Sequence, residues 1–164
     1  MKTQLRILSL ALLSLLAISC SKDDDNGPEL EAWEVEVNEV KSATSAYVDI
    51  NVATNEGRFD ASGYVPNMGH HFINPALIDT TFDLLNPEVI LYAPNEGGVM
   101  EMVAIEYSII PEDPENPGSP PEGFTGSADV WHFNEELGQW QLHVWTMLEN
   151  PDGIFAMFNP AIGD

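Results

Sequence analysis

Three polar residues stand among apolar and aromatic neighbours: Glu106, His143 and His71. Residues 99–110 read as a strand, so their side chains alternate between two faces. Glu106 then shares a face with Met100, Met102, Ala104, Ser108 and Ile110. A carboxylate on such a face is desolvated, which raises its pKa. It needs a cation, hydrogen-bond donors or a chemical task. In the stretch 140–148, Trp140, Leu142, Val144, Thr146 and Leu148 form a mainly apolar face. Gln141, His143, Trp145 and Met147 form the other, and its mix of polar and aromatic groups is that of a pocket wall. His70 and His71 are adjacent, so in extended chain they point apart and one at most joins a given site. Gly69 before them permits a tight turn or a close backbone approach. Two imidazoles and one carboxylate on neighbouring strands make a ligand set for a divalent metal with open positions. Affinity at such a site falls as pH drops through the histidine range. The same three residues also suit a structural hydrogen-bond cluster. His132, between Trp131 and Phe133, reads as packing.

No other pattern adds chemistry. There is no H-x-H, H-E-x-x-H, C-x-x-C or G-x-S-x-G, no phosphate-binding glycine loop and no dinucleotide fingerprint. The acidic run Asp23-Asp24-Asp25 fails as a calcium loop, because the register that uses Gly27 puts Lys22 at the first ligand position.

The elements that must position these residues come from periodicity. Val40, Ala43, Tyr47, Ile50 and Ala53 make a helical stripe, with Gly57 where a C-terminal cap belongs. This predicts a helix over 38–55. The stretch before it fits two patterns: Trp33, Val35 and Val37 alternate as in a strand, while Leu30, Trp33, Val37 and Val40 fit a helix. After Gly63 short apolar runs alternate with Asn-Pro turns, starting at Asn74, Asn86, Asn116, Asn150 and Asn159. Strands are expected at His70–Ile73, Glu88–Tyr92, Val99–Ile110, Trp140–Leu148 and Ile154–Phe158, with a hairpin turn at Gly97-Gly98. The fold class is therefore α+β: an antiparallel sheet of about five strands with one N-terminal helix packed on it. Residues 111–123 hold five prolines and four acids and form an exposed loop of stiff, extended character.

The beginning of the chain carries an address. Met1–Arg6 is basic, residues 7–18 are apolar, and Ser19 precedes Cys20, the single cysteine. Twelve apolar residues are too few to span a bilayer as a helix, which needs ~20. Leu16-Ala17-Ile18-Ser19-Cys20 resembles the lipobox of bacterial lipoproteins, which implies cleavage before Cys20 and its lipidation. The acidic stretch after it resembles the surface-export signal of Bacteroidota lipoproteins, which implies the outer face of the outer membrane. The domains expected are a signal peptide over 1–19, a lipidated acidic tether over 20–28 and a single α+β domain over 29–164. All 27 acidic residues follow Cys20, against only Lys22, Lys41 and Arg58. That balance excludes nucleic acid, whose phosphates need basic side chains. The lipid bilayer is the expected partner through Cys20 alone.

A further set of motifs carries a second resemblance. These are Met68-Gly69-His70-His71-Phe72-Ile73-Asn74-Pro75, Pro87-Glu88-Val89-Ile90-Leu91-Tyr92, Val103-Ala104-Ile105-Glu106-Tyr107, Leu142-His143-Val144-Trp145, Asn150-Pro151-Asp152-Gly153-Ile154-Phe155 and Phe158-Asn159-Pro160. The series resembles a family of small secreted bacterial proteins of uncharacterised function, over about residues 40–160. The resemblance implies that His71, Glu106 and His143 belong to one signature, and it names no reaction. Residues 111–123 lie outside it.

Three functions remain open: a surface lipoprotein that binds a small ligand or divalent metal through His71, Glu106 and His143, with Gln141 and Trp145 lining the pocket; a structural or protein-interaction lipoprotein; and a metal-dependent enzyme on the same residues.

Overall fold

The computed structural model describes residues 29–163. Cys20, the signal segment and the acidic tether lie outside the described residues. Helix α1 spans Ala32–Ala43, a 3-10 turn follows at Ser45–Val48, and α2 spans Ile50–Asn55. Six strands come next: β1 Phe59–Val65, β2 Gly69–Ile73, β3 Val89–Pro94, β4 Met100–Ile109, β5 His132–Asn134 and β6 Gln139–Val144. They form one antiparallel, curled sheet in the order β1-β2-β3-β4-β6-β5. The α+β class and the helix-on-sheet packing are as the sequence predicts.

The single helix expected over 38–55 is instead two helices, and the first begins earlier. The Glu34 carboxylate accepts the Glu31 N–H at 2.7 Å, satisfying one of the free donors at the start of α1. Val37 and Val40 are buried while Val35 stays exposed, so the helical stripe prevails over the strand-like alternation. Thr44 closes α1 by donating both its N–H and its hydroxyl to the Val40 carbonyl, at 2.9 and 2.8 Å. Asp49 caps α2 by accepting the Asn51 N–H at 3.0 Å. Gly57, at φ +90°, ends it as expected.

Both faces of the sheet are buried. One carries Ile90, Tyr92, Ile105, Tyr107, Leu142 and Val144 against Val37, Val40 and Ala53 of the helices. The other carries Val89, Leu91, Ala104 and Trp145, packed with Met68, Leu148, Met157 and Ile162. The C-terminal segment forms no strand, contrary to the expectation for 154–158: Met157 and Ile162 pack on this second face, while Phe155 joins the helix-side core. Its backbone is tied down instead by Trp145 N–H to Ile154 O at 2.9 Å, Asn159 N–H to Asn67 O at 2.8 Å, and the Trp145 indole N–H to Ala156 O at 2.6 Å. The strand predicted over 140–148 correspondingly stops at Val144.

Three of the five Asn-Pro dipeptides share one device. Proline has no N–H, so the asparagine side chain accepts from the residue after it. Asn74 takes the Ala76 N–H at 3.1 Å, Asn150 that of Asp152 at 3.0 Å, and Asn159 that of Ala161 at 3.0 Å. The expected turn between β3 and β4 is also present, with Gly98 N–H on Asn95 O at 2.8 Å. Residues 111–123 form no helix or strand and lie against Trp140, whose indole N–H points to Pro117 O at 3.5 Å.

Two irregularities set the faces. Leu91 pairs with Ala104 but Tyr92 with Met102, so Val103 is an inserted residue in β4. Strict alternation breaks there: Met100 and Met102 pack on the helix side, and Val103 joins Ala104 on the other. The grouping of Glu106 with Met100 and Met102 is thereby corrected. In the edge pair, Asp60 faces Phe72 and Tyr64 faces His70, so residues 61–63 of β1 stand opposite His71 alone.

Candidate metal centre

His71, Glu106 and His143 converge on the sheet face opposite the helices. Glu106 of β4 is the direct cross-strand partner of His143 on β6. His71 reaches them from β2, where it pairs with Leu91, itself paired with Ala104 two residues before Glu106. One nitrogen or oxygen from each residue lies within 4.8 Å of the others. His71 Nε2 is 3.6 Å and His143 Nε2 is 3.7 Å from the same atom, Glu106 Oε2. Gly69 makes the β2 approach possible: at φ +89° its Cα lies so close to the Tyr92 carbonyl that a Cβ would collide with it.

The cluster does not satisfy itself. Distances of 3.6 and 3.7 Å exceed hydrogen-bond range. Among the described residues, five buried side-chain polar atoms lack a partner, and three of them are Glu106 Oε1 and both ring nitrogens of His143. Each such orphan costs ~1–3 kcal/mol. Burial also suppresses charge on all three. It pushes Glu106 up to about 8, helped by the nearby Glu88 carboxylate. It pushes His143 down to about 3, with further opposition from His71 and His132. It pushes His71 down to about 4, against the pull of Asp60. The metal-free centre at neutral pH therefore holds two neutral imidazoles and a protonated carboxyl, and no ion pair forms.

Those separations suit a shared ion. Ligands ~2.0–2.1 Å from a tetrahedral metal stand about 3.3 Å apart, and both histidine–carboxylate separations come within a few tenths of an ångström of that spacing. The way in is beside His71, whose side chain is 15% exposed against 1% for Glu106 and 2% for His143.

The remaining candidates sort clearly. Trp145 stacks on His143, ring centroids 6.3 Å apart at 17°. Gln141 shares the face, but its amide oxygen is taken by Asn134 Nδ2 at 3.0 Å. His70 points away from His71, as adjacent strand residues must, and pairs through Nδ1 with Asp60 Oδ2 at 2.8 Å. His132 is half-buried on β5 opposite Gln141.

Two residues escaped sequence reasoning. Glu88 is buried with its Oε2 accepting the Ser108 N–H at 3.0 Å, and burial raises its pKa to about 7. Ser62 touches His71 twice: Oγ is 3.0 Å from Nδ1 and accepts the His71 backbone N–H at 3.1 Å. The signal for Ser62 was Gly63, since a glycine inside a strand marks a bulge.

Ser62, His71 and Glu106 have the residue types of a nucleophile, base and orienting acid. The geometry opposes that chemistry. The Ser62 hydroxyl has Gly63 O as a competing acceptor at 2.7 Å and itself accepts a backbone N–H, so the imidazole does not hold its proton alone. His71 is also a weak base at a pKa of about 4.

Comparison with protein-family models, curated proteins and solved structures finds no match to this chain.

Proposed function

We propose that this protein is a lipid-anchored surface protein that holds a divalent transition-metal ion on His71 Nε2, His143 Nε2 and the Glu106 carboxylate. The observation that carries the reading is the buried, unpartnered state of Glu106 Oε1 and the His143 nitrogens, in a cluster where the other Glu106 oxygen, Oε2, stands 3.7 Å from His143 Nε2, too far to bond. A purely structural cluster would close those distances. A metal ion explains them and the choice of residues together. Two imidazoles and one carboxylate favour zinc or a related ion over calcium or magnesium, which take oxygen ligands. Three protein ligands leave a position on the His71 side for water or a small ligand.

The anchoring half of the reading rests on the lipobox-like Leu16–Cys20 and the acidic residues after it, with the bilayer as partner and the exterior of the outer membrane as location. The reading also takes the chain as a relative of the small secreted bacterial family it resembles, and the convergence of that signature's three polar residues supports this. Calorimetric titration of the purified protein with zinc tests the metal half. One ion should bind per chain in the wild type, and Glu106→Gln should abolish that event. Absence of a stoichiometric site, or its retention in Glu106→Gln, contradicts the proposal.

A further inference from the structure

We propose that Ser62 is a positioning residue of this centre, holding His71 in the tautomer whose Nε2 lone pair is free for the metal. The inference rests on the metal-site reading above and adds what prepares the site for its ion. The Ser62 oxygen carries one proton, and Gly63 O at 2.7 Å is the nearest acceptor to which we assign it. Its lone pairs face two nitrogens of one residue, the His71 backbone N–H at 3.1 Å and His71 Nδ1 at 3.0 Å. With its hydrogen on Gly63 O, the oxygen can only accept, and the inferred tautomer then carries its hydrogen on Nδ1. Nε2 is then the acceptor nitrogen, and it is the atom 3.6 Å from Glu106 Oε2.

The backbone is built to deliver this hydroxyl. Residues 61–63 bulge out of the β1–β2 ladder opposite His71. Such bulges re-aim a side chain at the cost of local pairing. Gly63, at φ +63°, makes the left-handed step, and its N–H is held by Asp60 Oδ1 at 2.9 Å. The other oxygen of Asp60 holds His70, so the bulge is braced on both sides of Ser62. Hydrogen-bond partners behind ligating histidines fix the tautomer and the ring orientation, and their loss costs about 10–100-fold in metal affinity.

The test uses the whole purified protein and two variants at an exposed position, Ser62→Ala and Ser62→Thr. Long-range nitrogen–proton NMR of the metal-free protein at neutral pH reads the tautomer directly. His71 should carry its proton on Nδ1 in the wild type and in Ser62→Thr, and lose that preference in Ser62→Ala. Zinc affinity should fall about 10–100-fold in Ser62→Ala and recover in Ser62→Thr. A wild-type His71 protonated on Nε2, or a Ser62→Ala protein that binds zinc as tightly as wild type, overturns the proposal. A wild type with the Nδ1–H tautomer and no zinc binding overturns the metal reading itself, and the NMR result separates that failure from the first.

Discussion

Glu106 and His143 are direct partners across β4 and β6, and their side chains approach to 3.7 Å without bonding. Each is almost wholly buried, and each leaves polar atoms unsatisfied. A carboxyl and an imidazole in van der Waals reach would ordinarily exchange a proton and pair. Here burial opposes charge on both, so neither ionises near neutral pH in the absence of an ion. On the proposed reading, the pair is a metal site held in its protonated form.

Substitution at Glu106 separates shape from charge. Glu106→Gln keeps the volume and removes a carboxyl that is already neutral at pH 7 in the metal-free protein. Its unfolding free energy should change by less than about 1 kcal/mol. Glu106→Ala leaves a void and strands His143 further, and should cost ~1–3 kcal/mol. Denaturant unfolding of the metal-free proteins measures both, and a severe loss in Glu106→Gln would show that the carboxylate serves the fold.

The pH dependence differs from the simple histidine titration that the sequence suggests. With the histidines at about 4 and 3, the proton that competes with metal sits on Glu106, at about 8. Zinc affinity should rise about tenfold per pH unit up to about pH 8 and level off above it. A plateau beginning near 6.5 would contradict this.

Stability of the metal-free protein gives an independent check. Between the ordinary carboxyl value of 4.5 and the folded values of about 7 and 8, Glu88 and Glu106 keep protons that the unfolded chain has released. Their contribution therefore falls as pH rises through that window. The two histidines act oppositely: below 6.5 the unfolded chain takes protons that the fold refuses until about 4 and 3. The two effects offset each other between 4.5 and 6.5, so the net loss from these groups appears from 6.5 to 8. Thermal melts across that range should show a declining midpoint without zinc and a growing zinc-induced rise. A flat metal-free profile would count against the buried, protonated Glu106.

Gly69 is the backbone position on which His71 depends. Gly69→Ala places a Cβ against the Tyr92 carbonyl and forces a left-handed φ, which should cost about 1–3 kcal/mol or more. Denaturant unfolding reads that loss, and wild-type stability in the variant would show that β2 can approach β3 differently.

Anchoring is tested at Cys20. Cys20→Ala should leave an unprocessed, unlipidated precursor, and replacing Asp23, Asp24 and Asp25 with Ala should reduce protease accessibility on intact cells. Normal acyl labelling of Cys20→Ala would end the lipoprotein reading.

The centre was legible in the sequence for a reason only partly correct. Glu106 stood out as a carboxylate in an apolar strand, and that oddity survives in the structure. Its supposed neighbours Met100 and Met102 do not, because the Val103 insertion flips β4 and periodicity cannot see a bulge. Strands β3 and β4 were readable because apolar residues dominate them, and β2 because it lies between Gly69 and the Asn74-Pro75 turn. Edge strand β1 was not, since nearly all of it is exposed and three of its residues bulge out. Ser62 was lost with it. The helix start was ambiguous because Trp33, Val35 and Val37 fit both periods, and only the exposure of Val35 decides between them.

The central claim is that one ion sits among His71, Glu106 and His143. Anomalous diffraction at the zinc edge, from crystals grown with one equivalent of zinc, tests it most directly. The account predicts a single strong peak ~2.0–2.2 Å from His71 Nε2, His143 Nε2 and a Glu106 oxygen. An empty centre, with zinc found only on the acidic surface, would contradict it.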